Sequence, residues 1–269
     1  MSNAFITFLE TLLAFFSQLC FNLGMKTLPI LFSYDDVKEI YPNQQGFFSF
    51  LKRSLKNGSI KQIKRGLYAL VDPSTGNIYA TKFQIASHLF PNSYFSYHEA
   101  IEYYGMANQS FVSVFTYLSP NRVPELEFEN ITYRSKKSVC NLEIIDRTKE
   151  EGIRIVSFER AIVDSIDSPS LAGGLEEVEN ALEFGRRFNI EAVIKLLEHY
   201  DKTYLYQKVG YLFEKHYGNK IPDDFYKLCL SKIGNKIFYL EPNSTRTKLN
   251  SKWKLMVKEN IGGLPDELF

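Results

Sequence analysis

Residues 43–71, NQQGFFSFLKRSLKNGSIKQIKRGLYALV, change hydrophobic period once, from helical to alternating, and that change decides the fold of the N-terminal part of the chain. Asn43 is a good helix N-cap, and the helix it opens runs to about Lys56. At 100° per residue, Phe47, Phe48, Leu51 and Leu55 share one arc, the expected inner face. Gln45, Ser49, Lys52, Arg53 and Lys56 fall within an opposite arc about 100° wide that carries no acid. Asn57-Gly58 stops the helix, because glycine accepts the left-handed conformation that a helix end requires. Two strand-like runs follow, Ser59–Ile63 and Leu67–Val71, joined by Lys64-Arg65-Gly66 and ended by Asp72-Pro73. Upstream, Ser33 predicts the cap of a short helix with Asp36 near its positive end and with Val37 and Ile40 inward, and Pro42 ends that helix.

Helix, turn, basic helix and two-stranded ribbon over residues 28–72 predict a winged helix-turn-helix. A helix fits the major groove, where Gln45, Ser49, Lys52, Arg53 and Lys56 reach base edges and phosphates. The basic hairpin, with Lys61, Lys64 and Arg65, can touch the neighbouring backbone. A basic helix can also be merely solvated, and winged helices also dock proteins; the residues alone leave those alternatives open. The charge distribution favours DNA. Net charge is +1, yet residues 25–71 carry eight Lys/Arg against three acids, +5, whereas residues 72–269 carry 24 against 27, −3.

Residues 1–24 form a separate apolar extension, AFITFLETLLAFFSQLCFNL over 4–23, interrupted by Glu10, Gln18 and Asn22. It lacks the positive n-region and cleavage site of a secretory signal, and Glu10 is costly in lipid, so no membrane partner is expected. An over-extended translation start, with Met25 as the beginning, and an apolar helix that packs on a partner are the two expectations for it. Cys20, Cys140 and Cys229 match neither a disulfide framework nor a zinc spacing, which points to a reducing cytoplasm.

Beyond the Asp72–Gly76 turn, expected to be the hinge, a larger domain over 77–269 reads as mixed α/β and then mostly helical. Helices are predicted over 77–89 and 96–105, the second opened by a Ser96–Glu99 capping box. Strands are predicted over 111–118, 126–133, 142–146 and 153–156, then helices over 158–166, 175–188, 190–199, 204–217 and 225–233. A short strand over 236–240 and a tail holding Trp253 complete it, so the fold class is α+β. The sequence of this domain carries no recognisable catalytic or metal-ligating set and no cofactor motif. His98-Glu99 lacks a second histidine at the helical spacing of a zinc protease, and no phosphate-binding glycine loop occurs. Asp164 and Asp167 are expected to be a capping and solvated pair, and His88, His98, His199 and His216 to be structural or surface groups.

Four stretches in order resemble the AbiEi family of antitoxins, transcriptional regulators of viral defence: IKQIKRGLYAL (60–70), YFSYHEAIEYYGMANQ (94–109), IRIVSFERAIVDSIDSPSLAGGLEEVENAL (153–182) and SKWKLMVKENI (251–261). The resemblance spans nearly everything after residue 28. It implies a bacterial toxin–antitoxin component whose winged helix binds inverted repeats of double-stranded operator DNA in its own promoter, with self-association on that DNA. It further implies a second domain, including Glu159-Arg160 and Gly173-Gly174, that counteracts a cognate nucleotidyltransferase toxin without requiring a stable complex. No catalytic residue comes with the resemblance, so no enzyme is expected. A protein-docking winged helix and a nucleic-acid-processing enzyme are the alternatives.

Overall fold

The fold is read from a computed structural model that describes residues 28–110, 113–138, 140–184, 187–242 and 244–258. The expectations for residues 1–24 lie outside that range. The chain divides into two units, one ending at Ile85 and one starting at Ala86. The border falls inside a helix rather than at the Asp72–Gly76 turn.

In the first unit, β1 (Leu31–Phe32), α1 (Gln44–Lys56), β2 (Ile60–Lys64) and β3 (Leu67–Leu70) enclose a small aromatic core. The three strands form an antiparallel sheet in the order β1-β3-β2, with Leu31 opposite Ala69 and Ile60 opposite Leu70. Sequence reading missed β1, because two residues carry no alternation to detect. The helix expected from Ser33 is a single 3-10 turn, Asp35–Val37, and Asp36 accepts hydrogen bonds from both the amide and the hydroxyl of Ser33 at 2.7 Å. The amides of Ile40 and Tyr41 both donate to Val37 O at 2.9 Å, and Pro42, which has no amide hydrogen, stops the turn there.

α2 (Lys82–His88) begins later than expected. Ile78 pairs instead with Val71 in an isolated bridge, which leaves Tyr79 46% exposed, and Thr81 with Gln84 forms the capping pair. The amide of Thr81 donates to the Gln84 side chain at 2.9 Å, and that of Gln84 donates back to the threonine hydroxyl at 3.3 Å.

The second unit is built on a mixed six-stranded sheet in the order β6-β7-β5-β4-β9-β8. These strands are β4 (Tyr94–Phe95), β5 (Val114–Ser119), β6 (Leu126–Phe128), β7 (Ile131–Lys137), β8 (Ile144–Arg147) and β9 (Ile153–Val156). The single stretch expected over 126–133 is two antiparallel strands, because Glu129 and Asn130 both take positive φ, 47° and 63°, in a tight hairpin turn. Helices α3 (Tyr97–Tyr103), α4 (Phe158–Asp167), α5 (Leu175–Glu183), α6 (Ile190–Tyr200), α7 (Thr203–Tyr217) and α8 (Asp223–Lys232) follow the expected order with shifted ends. α4 is buried along nearly its whole length and packs on α3, α5, α6 and α7. A 3-10 turn over Pro169–Leu171 leads into α5.

The C-terminal stretch is more ordered than a tail. β10 (Phe238–Tyr239), β11 (Thr247–Asn250) and β12 (Leu255–Lys258) form a second three-stranded sheet, β10-β12-β11, with β10 parallel to β12. Trp253 is fully buried, and its ring nitrogen donates to Glu214 at 2.7 Å. Gly210 on α7 is what admits the ring: a Cβ there would lie 2.2 Å from its Cζ3. No helix among the described residues is long and apolar enough to cross a membrane.

Candidate nucleic-acid interface

Asn43 fixes the start of α1, since its side chain accepts from the amide of Gly46 at 2.7 Å. At the other end, the amide of Asn57 donates to Arg53 O at 3.0 Å and Gly58 takes φ of 75°. What fixes the roll of the helix is a ring cluster. Phe47 lies 5.1 Å from Tyr34, 5.9 Å from Tyr41 and 6.2 Å from Tyr68 by ring centroids. Phe50 stacks on Tyr41 at 5.0 Å. The buried arc is therefore Phe47, Leu51 and Ser54, with Phe50 half-buried beside it.

That roll corrects the expected inner face. Phe48 and Leu55 do not join Phe47 and Leu51 inside; they are 60% and 40% exposed. The rings of Tyr41 and Phe32 hold Phe50, which turns the helix by part of a residue step and moves Phe48 and Leu55 to the flank. The polar arc survives the rotation. Gln45, Ser49, Lys52, Arg53 and Lys56 are all exposed, on one side of one helix. Lys52, Arg53 and Lys56 have no acidic partner among the described residues. The nearby acids are engaged where they stand: Asp35 pairs with Lys38, and Asp36 holds Ser33.

The hairpin is less uniform than its sequence suggests. The register shifts between Gln62 and Lys64, a bulge that lets Ile60 and Ile63, three apart, both face the core. As a result Lys61 and Lys64 are half-buried, and burial holds the Lys64 ammonium below its ordinary pKa. Only Arg65, of the three expected hairpin cations, stands fully exposed, at the turn beside Gly66. Gln62 joins it as an exposed polar group. A bulge-shifted alternation is the signal that would have marked Gln62.

In the second unit the polar side chains are mostly committed to structure. Ser96 does not close the expected capping box; its hydroxyl donates to Asp164 at 2.7 Å, and Glu99 instead accepts the amide of Thr116 at 2.7 Å. Asp164 is buried rather than solvated, which corrects the expected solvated pair. Burial pushes its carboxyl up, while the Arg160 guanidinium, with Nε at 3.3 Å, opposes the rise. Arg160 also donates to Leu142 O at 2.6 Å and to the Tyr94 hydroxyl at 2.9 Å, and Tyr200 donates to Asp164. This network ties α4 to α6 and to the six-stranded sheet. Glu159 receives the amide of Asn189 at 2.9 Å, and the amide of Gly174 donates to Pro169 O at 2.8 Å. His98 Nε2 lies 2.9 Å from Gln109 O, within a loop that Glu177 also holds through the amide of Asn108 at 2.7 Å. Among the described residues no group of three His, Cys, Asp or Glu is placed to hold a metal.

No family model matches the chain, and no curated protein matches it. Among solved structures it is similar to the crystal structure of the RV2827C protein from Mycobacterium tuberculosis, with a TM-score of 0.64 at 13% identity, covering 85% of this chain and 86% of that one. At that identity the likeness concerns the fold alone, a mixed α+β architecture shared over most of both chains.

Proposed function

We propose that the chain is a DNA-binding autorepressor and antitoxin of the AbiEi type. Residues 28–72 act as a winged helix-turn-helix with α1 in the major groove and the β2–β3 hairpin on the flanking backbone. The observation that carries this reading is the exposed, acid-free face of α1, where Gln45, Ser49, Lys52, Arg53 and Lys56 stand together without counter-ions among the described residues. Cations left in that state attract a polyanion, and their contacts release counterions, so affinity falls steeply with salt. Gln45 and Arg53 are the side chains suited to base edges, each good bidentate pair supplying about 1–3 kcal/mol of discrimination. The expected partners are double-stranded operator DNA, with self-association across an inverted repeat, and a nucleotidyltransferase toxin counteracted by the second unit.

Fluorescence anisotropy of the full chain on its own upstream DNA and on scrambled DNA, at two salt concentrations, tests the repressor half. Tighter, salt-sensitive binding to the upstream fragment that is lost in Lys52→Ala with Arg53→Ala supports it. Binding unchanged in that double variant removes the helix assignment. The antitoxin half is tested by growth rescue when the chain is co-expressed with a neighbouring nucleotidyltransferase. One observation favours a second reading: Phe48 and Leu55 form an exposed apolar pair beside the cations, as a protein-docking winged helix would need. That reading predicts no salt-dependent DNA affinity.

A further inference from the structure

Lys208 on α7 is only 7% exposed, yet it has no hydrogen bond or ion pair among the described residues. Its amine stands 5.7 Å from the centroid of the Tyr204 ring and lines an open cavity of about 710 Å³. The one carboxylate in that wall, Asp167, is already engaged. It accepts Lys202 Nζ at 2.9 and 2.8 Å and the Tyr204 hydroxyl at 2.7 Å. Lys202 and Lys136, the latter also in the field of Asp164, lie within electrostatic reach of Asp167, so its charge is shared among several cations. Burial lowers the pKa of Lys208 against the pull of Asp167.

Phe238, Tyr239, Pro242 and Ser244 complete the described lining of the cavity. Phe238 packs on Tyr204 with ring centroids 5.7 Å apart, and Tyr239 beside it in β10 is 50% exposed. A largely buried lysine with no ion pair, its amine open to a cavity, favours an anion there, and the exposed Tyr239 ring on the same cavity offers a stacking surface. A cavity of this size suits a small ligand that carries both features.

We infer that this cavity is a nucleotide site, with a phosphate against Lys208 and a base against Tyr239 and Phe238. The nucleotide is either free or one residue of a single strand of RNA; both present the same phosphate and ring. The site lies in the second unit and does not depend on DNA binding by α1.

Equilibrium dialysis of the full chain with AMP, GMP, CMP and UMP, with inorganic phosphate, and with a short oligouridine tests it. At least one nucleotide or the oligouridine is expected to bind tighter than phosphate, and Lys208→Met and Tyr239→Ala are each expected to weaken it about ten-fold. Tyr239→Ala removes an exposed ring, so it decides the matter if Lys208→Met fails to fold. Lys52→Ala with Arg53→Ala is expected to leave mononucleotide binding unchanged, which separates this site from α1. Comparable binding of mononucleotide and oligouridine assigns the site to free nucleotide; much tighter oligouridine binding that depends on Lys208 assigns it to a strand. No nucleotide or oligouridine binding beyond that of phosphate, or binding indifferent to both Lys208→Met and Tyr239→Ala, overturns the proposal.

Discussion

Position 210 shows how one residue can carry a whole element. A Cβ there would meet Cζ3, Cη2 and Cε3 of Trp253 at 2.2, 2.4 and 3.0 Å, and a ring buried on every side cannot retreat by that much. Gly210→Ala is therefore expected to destabilise the protein by roughly 1–3 kcal/mol, read from the midpoint of urea unfolding. Asp146 sets an acid limit. Hydrogen bonds from the Thr148 hydroxyl and amide, with help from Arg154, hold its carboxyl down at about 2. A pKa lowered on folding adds stability at neutral pH that disappears as pH falls from about 4 to about 2. Because the side chain is 52% exposed, solvent screening keeps that contribution below about 1 kcal/mol. Asp146→Asn should flatten this limb of the stability curve; an unchanged acid limb would show that the turn does not hold the charge. Burial pushes the Cys229 thiol up to about 12, so alkylation mapped by mass spectrometry should spare Cys229 until the protein unfolds.

At the scale of elements, α1 owes its length to its ends and its orientation to rings. Asn43→Ala removes the side-chain acceptor for the Gly46 amide and should cost about 1 kcal/mol, measured by thermal melts. The same variant should weaken operator binding modestly, because a frayed first turn displaces Gln45. The boundaries of this helix were legible in sequence because capping and stopping are local: Asn43 and Gly58 act within one turn. Its roll was legible only in part. Phe47 and Leu51 sit inside as the period requires, but Phe48 and Leu55 were displaced by Tyr41 and Phe32, residues that reach α1 only through the fold. The Ser96–Glu99 pattern failed for a related reason. Both side chains found distant partners, Asp164 and the amide of Thr116, which won over the local exchange.

For the whole molecule, the charge asymmetry predicts the salt response. If α1 and the hairpin neutralise about four phosphates, log affinity against log salt should fall with a slope of about −3.6. Lys52→Ala with Arg53→Ala should reduce that slope by about 1, the share of the phosphate-facing Lys52, relax discrimination through Arg53, and leave the melting temperature unchanged, because both side chains are exposed. A melting temperature that drops with the affinity would mean that the variant acts through folding.

Sequence alone determined the order and kind of most elements in both units, the caps of α1 and the one-sided placement of its cations, since all of these follow from spacings within a turn or a strand. Only the tertiary structure decided which rings face inward, that Asp164 is a buried partner of Arg160, that Trp253 closes a sheet instead of ending a tail, and that Lys208 lies over the Tyr204 ring with no ion pair among the described residues. The physical reason is common to all four. Burial and pairing depend on groups far apart along the chain, and periodicity within one element carries no record of them.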